Sequence, residues 1–147
     1  ELSVWLQDDT SGMISAGQYR QFFMGPMREM SVYPYGVLHL HVPSLHIAEM
    51  LAEVSNIRAI NVYFDSAVHS LQEAMPVLRR LQARGMPLIL AKTVYDGFTM
   101  EEYAEILDGL SPRGLSVHLD AKSVDEGRAV MAYVRSVGRP TGTGCCG

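Results

Sequence analysis

Cysteine is nearly absent from this chain of 147 residues: there are two, and they are adjacent, at positions 145 and 146. Adjacent cysteines rarely close an unstrained disulfide, and the pair lacks the spacing of a structural zinc motif. The sequence therefore excludes a disulfide scaffold and favours a reducing, cytoplasmic location. We expect one domain over residues 1–137, followed by a disordered glycine-rich tail over residues 138–147.

Positive charge and long apolar runs are also scarce. The formal net charge is -4, so the chain offers no general attraction to nucleic acid or to an anionic membrane surface. No apolar run approaches the roughly 18 residues of a membrane span, and no basic segment followed by an apolar stretch marks a signal peptide. We therefore expect no nucleic-acid or membrane partner. The partner that we expect is a small-molecule substrate.

The chain does contain a repeated alternation of short apolar strands and amphipathic helices. Strands are predicted to begin near residues 3, 37, 59, 87 and 115, each followed by helical periodicity. Capping boxes predict helix starts at Ser15, Ser70, Thr99 and Ser123. Short apolar strands with little alternation are typical of a parallel sheet covered on both faces. The pattern predicts an α/β fold of five βα units with right-handed crossovers.

Two architectures accommodate five such units. One is a partial (β/α)8 TIM barrel, whose complete form needs about 250 residues, so this chain would supply about five C-terminal units. The other is a complete five-stranded open sheet. The first residue is Glu1 rather than methionine and a strand follows almost at once, which favours a chain cut from a longer protein.

Ionisable residues follow the predicted strands directly. They are Asp8 and Asp9, His39 and His41, Asp65, Lys92, and His118 with Asp120. In a parallel sheet these positions share one edge, where they can bind a metal, transfer protons or hold a polar substrate. Structural roles stay open for each: the aspartates can cap turns, Lys92 can be a solvated loop residue, and the histidines can be hydrogen-bonded core residues.

Three of the histidines carry the most specific prediction. His39 and His41 are two residues apart, so on a strand their side chains point to the same face. His118 ends a later strand-like run. If these strand ends are neighbours, three imidazoles converge and leave one position open, as in catalytic zinc sites. We therefore predict His39, His41 and His118 as metal ligands.

The strand ends together resemble the C-terminal part of the uroporphyrinogen decarboxylase superfamily, which includes cobalamin-dependent methyltransferases that act on thiols. The resemblance covers about residues 2–137. Four stretches carry the resemblance. They are the strand that ends in two aspartates with the helix after it (residues 4–26), the His-x-His strand (38–41), the third strand with its acidic end (57–65), and the closing strand and helix (110–126).

The resemblance implies a (β/α)8 barrel of which about three N-terminal units are missing here. It also implies zinc, which the methyltransferases hold with a His-x-Cys pair and a later cysteine. His39 matches the histidine, His41 stands in place of the first cysteine, and His118 lies about where the last is expected. Because imidazole is neutral, such a site would carry more positive charge than one with two thiolates.

Three hypotheses for function follow. In the first, zinc activates a thiol or another nucleophile, and a corrinoid supplied by a partner protein donates a methyl group. In the second, a metal-free decarboxylase uses Asp9 and Asp65 as catalytic residues. In the third, a non-catalytic partial barrel acts as a binding domain.

Further expectations accompany these hypotheses. Asp8, Lys92 and Asp120 are predicted to bind substrate. Porphyrinogen itself is disfavoured, because the predicted edge has few arginines and lysines. The isolated chain is expected to be unstable or homo-oligomeric, because a partial barrel exposes its sheet edges and an apolar face.

Overall fold

A computed structural model describes residues 3–65, 70–92, 97–118 and 121–137. Its five strands form one parallel sheet in the order β1-β2-β3-β4-β5. The strands are β1 Ser3–Gln7, β2 Tyr35–His41, β3 Ile57–Phe64, β4 Leu88–Lys92 and β5 Leu115–Val117. The prediction of a parallel sheet alternating with helices is confirmed. The predicted tail at residues 138–147 lies outside the described residues.

The helices begin close to where the capping boxes place them. They are α1 Ala16–Phe22, α2 Met24–Met30, α3 Leu45–Leu51, α4 Leu71–Ala83, α5 Met100–Gly109 and α6 Val124–Val137. The boxes at Ser15, Ser70 and Thr99 are complete, with both reciprocal hydrogen bonds present. At α6 the hydroxyl of Ser123 accepts from the backbone N–H of Glu126, whose carboxylate accepts from the backbone of Lys122 instead.

The end of α4 shows why glycine is needed at position 85. Gly85 has a φ of +78°, in the left-handed region that glycine adopts without strain. Its N–H donates to the carbonyl of Gln82, and the N–H of Met86 donates to that of Leu81. These two bonds form a Schellman motif, which satisfies the last carbonyls of the helix and turns the chain into β4.

The two faces of the sheet differ in burial. On one face the side chains are fully buried and belong to a single apolar cluster with the helices; they include Leu38, Leu40, Ile60, Val62 and Leu90. On the other face Trp5 is 54% exposed. We call this second face the open face. Covering of both faces, as expected from the sequence, is therefore not found in the described part of the chain.

The strand order explains the difference between the faces. Successive crossovers of one hand, without a reversal in strand order, place their helices on the same face of the sheet. Accordingly α3 contacts α4, α4 contacts α5, and α5 contacts α6, as in a single layer. A doubly wound sheet would need a switch in strand order, and the five described strands run in order without one. Among the described helices, none is long and apolar enough to cross a membrane.

Candidate metal centre

The carboxyl end of β2 presents two histidines side by side on the open face. His39 and His41 are both partly buried, and their ring centroids lie 4.9 Å apart with the ring planes at 84°. The Nε2 atoms of the two rings are 3.2 Å apart. The i, i+2 spacing thus brings the imidazoles together, as the sequence predicts.

The tautomer of His39 is set by Asn61 on the neighbouring strand β3. The side-chain amide of Asn61 donates to the carbonyl of Ile89 over 3.0 Å, so its Oδ1 atom points the other way. This oxygen lies 2.5 Å from Nδ1 of His39 and can only accept. Nδ1 therefore carries the proton in the neutral ring, and Nε2 keeps its lone pair.

His41 is oriented in the same manner by Asp65, which follows β3. The Oδ2 atom of Asp65 lies 2.5 Å from Nδ1 of His41. An ionised carboxylate only accepts hydrogen bonds, so Nδ1 donates and Nε2 of the neutral ring keeps a lone pair. The lone pair on Nε2 of His41 therefore points toward the lone pair on Nε2 of His39.

Asp9 completes the group from the loop after β1. Its Oδ1 atom lies 3.2 Å from Nε2 of His41, and its Oδ2 atom accepts from the amide of Gln7 over 2.8 Å. The donor atoms of Asp9, His39 and His41 all lie within 4.8 Å of one another. Two lone pairs and a carboxylate at this spacing repel one another unless a proton or a metal cation lies between them.

The two separations that involve His41 suit a small divalent cation. Zinc binds imidazole nitrogen at about 2.0–2.1 Å, which puts neighbouring ligands of a tetrahedral site about 3.3 Å apart. Two of the three separations are 3.2 Å, from Nε2 of His41 to Nε2 of His39 and to Oδ1 of Asp9, and the third, between Asp9 and His39, is within 4.8 Å. Each of the two histidines also has a hydrogen-bond partner for Nδ1, as histidine ligands in metal sites usually do. The set of two histidines and one carboxylate fits catalytic zinc, which keeps a fourth position open.

Sequence reasoning missed two residues of this site, Asn61 and Tyr63. Asn61 is only 3% exposed, and the ring of Tyr63 lies 5.6 Å from that of His39 and 5.5 Å from that of His41. The signal for Asn61 was an amide in the middle of an apolar strand, where a buried polar group needs a partner. Tyr63 shares its face by the i, i+2 rule and forms one wall of the site.

His118 does not join the other two histidines. It follows β5, which is separated from β2 by β3 and β4. Three strand spacings of about 4.8 Å amount to about 14 Å. His118 is exposed, its backbone N–H donates to Leu90, and its carbonyl accepts from the hydroxyl of Tyr103. The predicted convergence of three imidazoles is thus replaced by two imidazoles and the carboxylate of Asp9.

Two of the predicted substrate-binding residues have other partners. Asp8 accepts from the hydroxyl of the buried Tyr19 over 2.7 Å. Burial of the phenol and this bond to Asp8 raise the pKa of Tyr19 above its usual value of about 10. Lys92 lies 2.9 Å from the carboxylate of Glu102, and pairs in register with Phe64, on the helix-covered face. Asp120 lies outside the described residues.

No protein-family model, curated protein or solved structure matches this chain. The resemblance described above thus depends on the sequence pattern alone.

Proposed function

We propose that this chain carries the catalytic zinc site of a (β/α)8-barrel enzyme, with Asp9, His39 and His41 as ligands. The observation that carries the proposal is the pair of Nε2 atoms facing each other at 3.2 Å, each with its Nδ1 hydrogen-bonded to another residue. This arrangement presents lone pairs to a common point and leaves no protein donor between them among the described contacts.

Zinc bound there would lower the pKa of a coordinated thiol or water and so supply a nucleophile at neutral pH. One carboxylate and two neutral imidazoles leave the ion with one net positive charge, which favours an anionic fourth ligand such as a thiolate. The protein residues do the positioning: Asn61 and Asp65 hold the imidazoles in the ligating tautomer, and Tyr63 bounds the site on one side.

The proposed reaction is methyl transfer from a corrinoid, carried by a partner protein, to a thiol. Two features support it beside the sequence resemblance. The site lies at the carboxyl end of parallel strands, where enzymes of this class act. The open face and the consecutive strand order are those expected of βα units that continue into a closed barrel.

A second candidate is metal-free acid–base catalysis, as in a decarboxylase. It is favoured by the position of His41, whose two ring nitrogens lie 2.5 Å from Asp65 and 3.2 Å from Asp9. A protonated His41 would donate to both carboxylates and could transfer a proton to substrate. In that case Asp9 and Asp65 retain the catalytic roles predicted from the sequence.

Zinc affinity separates the two candidates. We expect the chain to bind one equivalent of Zn²⁺ in competition with a chromophoric chelator, and His41→Ala to weaken binding by at least 100-fold. His118→Ala is the matched control, since it removes an equally plausible histidine that lies three strands away, and should bind as the unaltered chain does. Millimolar Mg²⁺ should not compete, because it prefers oxygen ligands.

Two results would overturn the zinc proposal. One is the absence of stoichiometric binding by the unaltered chain, which would move metal-free catalysis to the front. The other is equal loss of zinc in the His41 and His118 variants, which would mean that the sheet brings these histidines together in solution.

A further inference from the structure

We infer that Ser44, acting through Ser11, positions the carboxylate of Asp9 against His41. The inference depends on the proposed metal site. It concerns the contacts between the loop after β1 and the turn after β2, which we call the loop clamp: the hydrogen bond between Ser11 and Ser44, the approach of Gly12 to Pro43, and the bridge made by His46.

Asp9 needs such support because it does not lie on a strand. Its side chain is 52% exposed, and it extends from the loop that connects β1 to α1. The histidines, in contrast, lie on β2, which is hydrogen-bonded on both sides, to β1 and to β3. The distance between the carboxylate and His41 is therefore set by how the first loop is held against the second strand end.

The loop is first closed on itself. The Oδ1 atom of Asp8 accepts from the backbone N–H of Ser11 over 3.2 Å, and the hydroxyl of Ser11 lies 2.9 Å from the carbonyl of Asp8. The other oxygen of Asp8 binds Tyr19, which is 1% exposed. Asp9 thus lies in a tight turn between Asp8 and Ser11, and Asp8 is hydrogen-bonded to Tyr19 of α1.

The turn is then tied to the end of β2. The hydroxyl oxygens of Ser11 and Ser44 lie 2.8 Å apart, and both residues are 1% exposed. A hydroxyl has one hydrogen, so when Ser11 donates to Asp8, Ser44 must donate to Ser11. Two buried hydroxyls are tolerated because they satisfy each other, and they fix the loop in one register.

Two neighbouring contacts hold the same loops together. A Cβ atom on residue 12 would lie 2.9 Å from the Cβ of Pro43, so only glycine allows this approach. The two ring nitrogens of His46 lie 2.9 Å from the carbonyl oxygens of Pro43 and Ile14.

Ser44 lies in the 3-10 turn Val42–Ser44, which begins directly after His41. The loop clamp therefore joins the loop of one metal ligand to the strand end of another.

The test is a double-mutant cycle with zinc affinity as the readout. We expect Ser44→Ala to weaken zinc binding by about 10-fold, the lower end for loss of an outer partner of a metal site. Asp9→Asn should weaken it more, and adding Ser44→Ala to Asp9→Asn should cause no further loss, because the serine acts only through the carboxylate. Additive losses, or unaltered affinity in Ser44→Ala, would overturn the inference.

The matched control is Ser31→Ala. Ser31 is 5% exposed, and its hydroxyl donates to the carbonyl of Met27. It precedes β2 and therefore lies near the amino ends of the strands, away from the proposed site. The Ser31→Ala variant should have a lower free energy of unfolding than the unaltered chain but the same zinc affinity. If Ser44→Ala does not fold, Gly12→Ala serves as the second variant, since it displaces the loop by contact with Pro43.

A separate readout covers the case in which the unaltered chain binds no zinc. The metal proposal then fails, and the loop clamp is tested by the ¹⁵N chemical shift of Nε2 in His41. If the clamp positions Asp9, the change caused by Asp9→Asn should be reproduced by Ser44→Ala and not by Ser31→Ala. A shift in Ser44→Ala equal to that of the unaltered chain would refute the clamp.

Discussion

The Nδ1 atom of His39 and the Oδ1 atom of Asn61 lie 2.5 Å apart on neighbouring strands, and this contact decides which ring nitrogen faces the open side of the sheet. The amide cannot turn over without losing its bond to Ile89. A buried amide with both ends bonded thus keeps the lone pair of His39 available to a ligand. The proposed role of Asn61, a polar residue in an apolar strand, is thus to orient His39, and this role can be tested.

The first prediction concerns Asn61 itself. Asn61→Leu removes the acceptor for His39 and frees the ring to change tautomer, so we expect zinc affinity to fall by about 10- to 100-fold. Isothermal titration with Zn²⁺ measures it. Asn56→Leu is the control, since this amide donates to the carbonyl of Ser31, far from the site. Equal zinc affinity in Asn61→Leu and the unaltered chain would show that the amide does not orient the ligand.

The second prediction concerns the charge on Asp65. Asp65→Asn retains an oxygen that can accept from Nδ1 of His41 but removes the negative charge behind the ring. We expect zinc affinity to fall by about 10-fold, because the negative charge behind the ring attracts a cation bound at Nε2 and partners of this kind contribute that much at metal sites. Competition with a chelator reports the change, and Asp108→Asn on the exposed surface of α5 is the control. Unchanged affinity would limit Asp65 to a turn-capping role.

The third prediction is a pH dependence caused by Tyr19. Its pKa is raised in the folded state, by burial first and by Asp8 second. The folded chain therefore keeps this proton at a pH where the unfolded chain has released it. The free energy of unfolding should then decrease above about pH 10, by at most about 1.4 kcal/mol per pH unit from this one group.

Urea unfolding between pH 8 and 11 tests this dependence. Tyr19→Phe should lower the free energy of unfolding by about 1 kcal/mol at neutral pH, because it removes the hydrogen bond to Asp8. Above pH 10 the free energy of unfolding of this variant should decrease less steeply than that of the unaltered chain. Tyr35→Phe is the control, because Tyr35 is 44% exposed. The idea is wrong if the two variants show the same slope above pH 10.

The fourth prediction tests whether the open face is free in solution. Leu90 is fully buried on the helix-covered face, and its neighbour Ile89 is partly exposed on the open face. Leu90→Ala should cost about 2–5 kcal/mol of unfolding free energy, while Ile89→Ala removes an equal volume and should cost about 1 kcal/mol or less. Equal losses would mean that another copy of the chain covers this face in solution.

Much of the fold could be predicted because its signals are local. The capping boxes at Ser15, Ser70 and Thr99 involve residues three apart, and the turn at Gly85 depends on the conformation of one residue. The boundary between α1 and α2 lies at Phe23 and not at the following Gly25–Pro26, because Pro26 is tolerated within the first turn of α2. Boundaries shifted slightly, but the type and order of the elements did not.

The sequence alone also determined that His39 and His41 would share a face, since the period of two belongs to any strand. It could not determine their third partner. Asp9 reaches His41 because β1 pairs with β2 and the loop after β1 is hydrogen-bonded to the turn after β2, whereas β3 and β4 separate His118 from the two histidines. Strand order and loop packing depend on contacts between residues far apart in the chain. Only the tertiary structure, through those contacts, decided which of these side chains meet and which face of the sheet the helices leave open.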